Sequence, residues 1–297
     1  MNILLTGGTG YLGSMLCERL VALGHGVTAL VRQAASSSSL VTLRESAGER
    51  LELVELDSAD LENELGTKSF DLCIHGATRY GRPPETEEDV RETNFEFAKR
   101  VYQMSARIGI KSFVNLDTPI PPEVSAYARY KRDFRTFLRA DEAIPQRINI
   151  VLQYIYGESE PQGRLVRSLV EVSYEQNGAF PMSPGEQRRD FIHIDDVVAA
   201  FESLVSSLSE LPNGFTQLDL GTGSAVSLRE LVALIQNLNP KSSADFQFGA
   251  LPYRSGEPME VKADNAYLKT VFGWAPRVSL EEGIARVVNV VREGKGV

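Results

Sequence analysis

The chain has 297 residues and a net charge of −9, with 42% hydrophobic and 24% charged residues. This composition excludes wholesale disorder, and the acidic charge without a basic block argues against nucleic acid as a partner. No apolar run approaches membrane-spanning length, and the first residues carry no basic segment, so we expect a cytoplasmic protein without membrane contact. Cys17 and Cys73 are expected to be reduced core residues rather than a disulfide or a metal site.

A short apolar run, a glycine-rich turn and a helical pattern open the chain. The run at 3–5 predicts a buried strand, glycines at 7, 10 and 13 follow it, and apolar residues then recur at helical spacing through residue 20. Only glycine lets a backbone approach phosphates closely, and the unpaired N–H groups of a helix start favour their charge. This order predicts a dinucleotide pyrophosphate site, whose predicted residues are Gly7, Gly10, Tyr11, Leu12 and Gly13.

Strand and helix patterns alternate through the first half of the chain. Strands are predicted at 3–5, 27–31, 51–56, 70–74, 112–116 and 148–155, and long helices at 86–108 and 124–139. Such alternation predicts an α/β fold of Rossmann type, a doubly wound parallel sheet with helices on both faces.

The amino-acid composition changes after residue 155, where proline and glycine become frequent. One more apolar strand at 217–220 is expected to return to the main sheet. We therefore predict a dinucleotide-binding domain at 1–155, rejoined by 190–223, and a smaller mixed substrate-binding lobe over most of 156–297.

The end of the second predicted strand bears on the choice of dinucleotide. NAD-binding proteins of this type place an acidic residue there, whereas this chain has Arg32 followed by serines at 36 to 39. Arg32 can pair with a 2′-phosphate, or it can be a solvated arginine at a strand end. Asp57 can contact the adenine or cap the next helix. We expect NADP(H) rather than NAD.

A tyrosine and a lysine lie one helical turn apart in the second long helix. Tyr127 and Lys131 share a helix face, and Thr118 follows the fifth strand. A nearby ammonium lowers the pKa of a tyrosine by favouring the phenolate, and the threonine can donate a hydrogen bond to the same substrate oxygen. Taken alone this spacing is common by chance; with the glycine turn upstream it predicts a proton relay for interconverting a carbonyl and an alcohol.

These motifs resemble those of the extended short-chain dehydrogenases/reductases, in the group of nucleotide-sugar epimerases, dehydratases and reductases. The segments similar to family motifs are 6–13, 75–77, 188–196, 253–257 and 272–276, together with Thr118, Tyr127 and Lys131. The resemblance implies that Ala77, Asn94 and Lys131 bind the cofactor. It also implies that Arg189 and Arg254 bind a nucleotide-sugar pyrophosphate, and we expect Tyr80 and Tyr154 to contact the substrate.

Departures from the family patterns indicate the subclass. Thr118 precedes Pro119 and Ile120 instead of the acidic pair of sugar dehydratases, and Arg32 replaces the acidic residue usual in NAD-retaining epimerases. The segment 115–118 with its following proline is most similar to the CDP-paratose and CDP-abequose synthase type of 4-ketoreductase. The leading hypothesis is therefore NADPH-dependent reduction of the 4-keto group of a CDP- or dTDP-linked deoxyhexose.

Two alternatives remain open at this stage, an NAD-retaining nucleotide-sugar 4-epimerase and a non-catalytic dinucleotide-binding regulator. The two long helices resemble those that pair in family dimers, so a homodimer is expected. No metal is expected at His193, Asp195 and Asp196, where we predict a helix cap and hydrogen bonds between lobes instead.

Overall fold

The computed structural model describes residues 1–32, 38–56, 61–175 and 178–295. Two compact units compose it: Met1–Val151 with Phe201–Leu218, and Leu152–Ala200 with Asp219–Val297. Of the segment 190–223 that we expected to rejoin the first unit, residues 201–218 do so, while 190–200 and 219–223 belong to the second. No helix among the described residues is long and apolar enough to cross a membrane.

The strands include a parallel core and several short pairs. In chain order they are β1 (Asn2–Thr6), β2 (Gly26–Val31), β3 (Leu51–Glu55), β4 (Leu72–His75), β5 (Ser112–Asp117), β6 (Gln146–Leu152), β7 (Tyr154–Tyr156), β8 (Ala179–Met182), β9 (Arg188–Arg189), β10 (Phe191–His193), β11 (Gly214–Leu220), β12 (Val226–Ser227), β13 (Asp245–Phe248) and β14 (Glu260–Val261).

The helices alternate with the strands through the first unit. In chain order they are α1 (Tyr11–Ala22), α2 (Ser38–Ala47), α3 (Leu61–Gly66), α4 (Glu87–Arg91), α5 (Ala98–Arg107), α6 (Ala126–Ala140), α7 (Leu165–Ser173), α8 (Ile194–Ser206), α9 (Leu228–Leu238), α10 (Ala266–Phe272) and α11 (Leu280–Lys295). A π-helical segment, Glu92–Phe97, joins α4 to α5.

The main sheet has seven strands in the order β11-β6-β5-β4-β1-β2-β3. Neighbouring strands from β1 to β6 pair in the parallel direction. The N–H of Gly214 donates to Pro145 at 2.7 Å and that of Gln153 to Leu220 at 2.9 Å, so β11 also runs parallel to β6. The predicted return of the strand at 217–220 to this sheet, and the Rossmann-type fold class, are confirmed.

The central strands are buried almost throughout, as parallel strands covered on both faces must be. A core of buried residues from α5, α6 and strands β1, β4 and β5 fills one face of the sheet. The carboxyl ends of β1, β4 and β5 therefore meet at one edge, where the loops that follow them carry the predicted site residues.

Two sequence predictions differ from the structure in detail. The expected strand at 148–155 is two strands, because the chain leaves β6 at Leu152 and pairs again through β7 with β10. Gln153 lies at the break, but one polar residue among apolar ones does not by itself reveal that a strand ends there. The predicted helix at 86–108 contains the π-helical segment, which its apolar spacing did not indicate.

The second unit builds its own core from α7, α9 and α11. Short strand pairs surround these helices: β7 with β10, β9 with β12 and β14, and β8 with β13. Buried members of the core include Leu169, Leu231, Ile284 and Val287. This unit carries the remaining predicted substrate residues, Tyr154, Arg189 and Arg254.

Candidate active site

The turn after β1 has no room for side chains. Gly7 has φ +77°, and a Cβ on it would lie 2.6 Å from the backbone N of Ala77. A Cβ on Gly13 would lie 2.0 Å from the carbonyl O of Gly7. The N–H of Gly10 donates to that same carbonyl at 2.9 Å, which closes the turn.

Gly10 is the N-cap of α1, and no side chain caps this helix. Gly10 has no side chain with which to accept from the first N–H groups of α1. Leu12 is buried beneath the turn and anchors the helix to the core. A tight glycine cradle in front of an uncapped helix start fits a dinucleotide pyrophosphate.

The ends of β1 and β4 are tied together behind this cradle. The hydroxyl of Thr6 lies 2.9 Å from Nδ1 of His75 and accepts a hydrogen bond from the N–H of Ala77 at 3.3 Å. Burial, with the charge of Lys131, holds the pKa of His75 well below its usual range. The neutral imidazole therefore bonds to the same Thr6 hydroxyl that accepts from Ala77.

Asn94 holds the loop that follows β4. Its Oδ1 accepts from the Thr78 hydroxyl at 2.8 Å and the Arg79 N–H at 3.1 Å, and its Nδ2 donates to the Arg79 carbonyl at 2.7 Å. The residue is fully buried in the π-helical segment. These bonds orient the loop that follows β4. Direct contact of Asn94 with a cofactor stays a prediction.

Tyr80 lies on this loop and is 41% exposed. Its ring contacts the ring of Tyr127 with centroids 5.0 Å apart, and the Arg82 guanidinium lies 5.5 Å from the Tyr80 ring centroid. The loop is braced by Arg79, which pairs with Asp89 at 2.8 Å. The structure therefore brings the predicted substrate residue Tyr80 next to the predicted proton donor.

The three predicted catalytic residues come from β5 and α6. Thr118 directly follows β5, and its hydroxyl oxygen accepts the Ile120 N–H at 3.3 Å. Ser125 caps α6 by accepting the Ala128 N–H at 3.2 Å, which starts the helix just before Tyr127. Lys131, one turn later, donates to the carbonyl of Leu116 at 2.8 Å.

Lys131 is 2% exposed, and its surroundings perturb it strongly. Burial lowers the pKa of Lys131 to about 8, against which the Asp117 carboxylate acts. Asp117 lies at the end of β5 and is also buried. Sequence reasoning missed Asp117, although a charged residue inside an apolar strand was the available signal.

The residues predicted to select the dinucleotide are only partly described. Arg32 follows β2 and is exposed, as a residue that meets a ligand from solvent must be. Asp57 and the serines at 36 and 37 lie outside the described residues. The choice between NAD and NADP therefore stays a prediction.

In the second unit, the guanidinium groups of Arg189 and Arg254 influence the side chain of Tyr154. The Arg189 guanidinium lies 5.7 Å from the Tyr154 ring centroid. Burial raises the pKa of Tyr154, while the charges of Arg189 and Arg254 oppose that rise. Arg254 itself is exposed.

Arg189 is buried and already bonded to several groups of the protein, which the sequence did not indicate. It is 3% exposed, donates to the carbonyls of Arg188 and Pro258, and forms a short ion pair with Glu257. A pyrophosphate that binds Arg189 would have to share the guanidinium with the Glu257 carboxylate or displace that carboxylate. Sequence reasoning missed Glu257 as the partner, because the two residues are far apart along the chain.

At the start of α8, Nδ1 of His193 accepts the N–H of Asp195 at 3.3 Å, which is a cap of that helix. The Asp196 carboxylate accepts the N–H groups of Arg277 at 2.8 Å and Val278 at 3.0 Å. The sequence predicts that such bonds join the lobes, but these partners belong to the same unit as Asp196. Among the described residues, no group of three or more His, Cys, Asp or Glu side chains could hold a metal ion.

Cys17 and Cys73 are free and buried, the former in α1 and the latter in β4. Burial raises the pKa of each thiol to about 12, so both stay protonated at neutral pH. They pack as small apolar residues behind the site.

Residues 3–214 match the family model described as the NAD dependent epimerase/dehydratase family. The chain is 26% identical over 298 residues to CDP-abequose synthase of Salmonella typhimurium, covering 96% of this chain and 97% of that protein. It is 25% identical to UDP-glucose 4-epimerase of Mycolicibacterium smegmatis, covering 98% and 99%.

Solved structures share the fold over nearly the full length. UDP-glucose 4-epimerase of Thermotoga maritima, solved with UDP-glucose, has a TM-score of 0.80 at 21% identity and covers 99% of this chain and 100% of its own. MoeE5, in complex with UDP-glucose and NAD, has a TM-score of 0.80 at 23% identity with the same coverage.

The buried ammonium of Lys131 predicts a distinctive dependence of stability on pH. The folded protein releases this proton near pH 8, whereas an unfolded chain holds it to about pH 10.4. Between these values the unfolded state binds more protons, so stability rises with pH through this group. Relative to K131M, the wild-type free energy of unfolding should rise by about 2.5 kcal/mol from pH 7 to pH 10.

Urea unfolding at several pH values measures this difference. K111M, which removes an exposed lysine just before β5, is the matched control and should follow the wild-type pH curve. Parallel pH curves for the wild type and K131M would contradict the burial of a titrating ammonium.

Proposed function

The chain belongs to the NAD dependent epimerase/dehydratase family, and we propose that this enzyme uses NADPH to reduce the 4-keto group of a nucleotide-linked deoxysugar. The proposed substrates are CDP- or dTDP-linked 4-keto-deoxyhexoses. The observation that carries the proposal is the buried Lys131 ammonium, which bonds to the carbonyl of Leu116 near the end of β5 and lies one helical turn after Tyr127.

Two further features support reduction over other reactions of the family. The similarity to CDP-abequose synthase extends over 96% of this chain. Thr118 is followed by Pro119 and Ile120, which carry no acid or base for the elimination step of a dehydratase. Reduction of a ketone needs one proton donor and a hydride source, which this set of side chains suits.

When bound, NADPH supplies the hydride that reaches the sugar C4. The Tyr127 hydroxyl gives the proton to the ketone oxygen, and the Lys131 ammonium stabilises the phenolate that results. Thr118 already accepts the Ile120 N–H through its oxygen, so its own hydroxyl hydrogen can be donated to the ketone. The carbonyl of Leu116 keeps the ammonium in place through the 2.8 Å bond.

Residues of the second unit are proposed to bind the nucleotide diphosphate. Arg189 and Arg254 are guanidinium groups suited to phosphate oxygens, and Tyr154 lies under the first of them. In this proposal the pyrophosphate competes with Glu257 for Arg189. The exposed position of Arg254 suits it for first contact with the anion.

Tyr127→Phe removes only the proton donor. Because a positioned general acid contributes about 10²- to 10⁴-fold, turnover should fall by that factor while NADPH binding persists. The measurements are NADPH oxidation with CDP-, dTDP-, UDP- and GDP-linked 4-keto sugars, and cofactor titration by fluorescence. Tyr130→Phe, on the exposed side of the same helix, is the control and should retain turnover. Wild-type turnover in Y127F would overturn the assignment.

Arg32→Ala tests the choice of dinucleotide. If Arg32 pairs with the 2′-phosphate, its loss should weaken NADPH binding about tenfold or more and leave NADH binding unchanged. Arg32→Lys keeps the charge and should lose less. Equal changes for NADPH and NADH would show that this arginine does not read the 2′-phosphate.

A nucleotide-sugar 4-epimerase is the second candidate. Its support is the 25% identity to UDP-glucose 4-epimerase over 98% of this chain, and the NAD bound in MoeE5. An epimerase would purify with NAD and interconvert sugars without consuming NADPH. A non-catalytic regulator is less well supported, because it would have no use for the Tyr127 and Lys131 pair.

We also propose a homodimer through the long helices. Their outward residues include charged side chains on α5 and α6, such as Arg100, Arg107 and Arg132. Like charges repel across an interface, and salt screens that repulsion, since the screening length falls to about 3 Å at 1 M ionic strength. Sedimentation velocity should therefore find a dimer that persists as salt rises; a monomer at all concentrations at both low and high salt would refute it.

A further inference from the structure

A buried carboxylate lies directly before the proposed catalytic threonine. Asp117, the last residue of β5, is 4% exposed. Its Oδ1 accepts the backbone N–H of Thr118 at 2.8 Å, so the carboxylate fixes the turn on which the Thr118 hydroxyl is carried. Nothing in the proposed reduction requires this residue to touch the substrate.

The second carboxylate oxygen meets partners from two other elements. Asn149 on β6 donates its Nδ2–H to Oδ2 at 2.9 Å, and Arg135 on α6 places Nε 3.2 Å from the same oxygen. Asn149 is held in turn by Asn115, which donates to its Oδ1 at 2.7 Å. These partners of Asp117 are all N–H donors, the pattern that suits an ionised carboxylate.

Arg135 belongs to the same row of side chains as the proposed proton relay. Tyr127, Lys131 and Arg135 follow one another at intervals of four residues on α6, so they share a helix face. Arg135 is 17% exposed, and Lys131 bonds to Leu116, the neighbour of Asp117. The Asp117 carboxylate at the end of β5 therefore lies near two cations, Lys131 and Arg135, on successive turns of α6.

We propose that Asp117 and Arg135 form a compensated charge pair that positions Thr118 and sets the electrostatic potential at Lys131. This assigns positioning roles to Asp117, Arg135 and Asn149. The proposal rests on the proposed function for its consequence in turnover, but its electrostatic part concerns the protein alone.

The groups around Lys131 determine how its pKa responds to the charges of Asp117 and Arg135. Burial lowers its pKa to about 8, and the Asp117 carboxylate opposes that fall. His75 faces Lys131 from β4 as a neutral ring, since burial holds its pKa well below the usual range. Tyr127 and Arg135 lie on the same helix as Lys131. Asp117 is therefore the negative charge that retains the proton on Lys131, and Arg135 limits its influence.

Burial of Asp117 itself would favour the neutral acid, and burial does raise its pKa. Arg135, Asn149, the Thr118 N–H and Lys131 all act in the opposite direction. Removing Arg135 would leave a negative charge less compensated, and removing Asp117 would leave a positive one. The two substitutions should therefore shift the proton affinity of Lys131 in opposite directions, which a mere loosening of the strand end would not do.

The test is a substrate-free titration of Lys131. Protein labelled with ¹³C-lysine is titrated by NMR, and the Lys131 resonance is assigned by its loss in K131M. Asp117→Asn should lower the midpoint by about one pH unit, Arg135→Gln should raise it, and the double variant D117N/R135Q should return near the wild-type value. Arg135→Lys, which keeps the charge, should leave the midpoint unchanged.

Shifts of the same sign in D117N and R135Q, or a displaced midpoint in the double variant, would overturn the proposal. If a single substitution prevents folding, the double variant decides: a wild-type midpoint supports compensation and a displaced one refutes it. The basic limb of the turnover profile should move with the NMR midpoint. Correct midpoints without NADPH oxidation for any keto sugar would instead count against the proposed function alone.

Discussion

The burial of the Lys131 ammonium is the constraint on which the rest of the site depends. A cation removed from water must be compensated, and here a carbonyl at 2.8 Å and a neighbouring carboxylate do so. Both compensating groups lie at the end of β5. The same strand end therefore supplies the stabilisation of the charge and the hydroxyl of Thr118, and α6 must pack against it for either to function.

The parallel sheet explains why so few contacts suffice to assemble the site. The carboxyl ends of β1, β4 and β5 lie at one edge, and the hydroxyl of Thr6 links two of them to Ala77. Asn94 then orders the loop that carries Tyr80 to the ring of Tyr127. Each of these buried polar side chains forms at least one hydrogen bond to a backbone group, which fixes the loops without a metal or a disulfide among the described residues.

Local patterns were sufficient for much of the fold. The glycine turn, the apolar strands and the spacing of Tyr127 and Lys131 are short-range features, and they predict both the Rossmann-type fold and the family. The break at Gln153 and the π-helical segment around Asn94 were missed, because apolar spacing is nearly the same on either side of each. The division of 190–223 was also misplaced, since it depends on contacts made by distant segments.

The sequence by itself determined the type of fold, the phosphate cradle and the residue types of the proton relay, because each follows from periodicity or from the conformational freedom of glycine. Only the tertiary structure decided which charges meet. That Asp117 faces Arg135 and lies beside Lys131, and that Arg189 is held by Glu257, depends on side chains from separate elements converging in a medium of low dielectric. Proton affinity is set by that convergence, and no spacing along the chain encodes it.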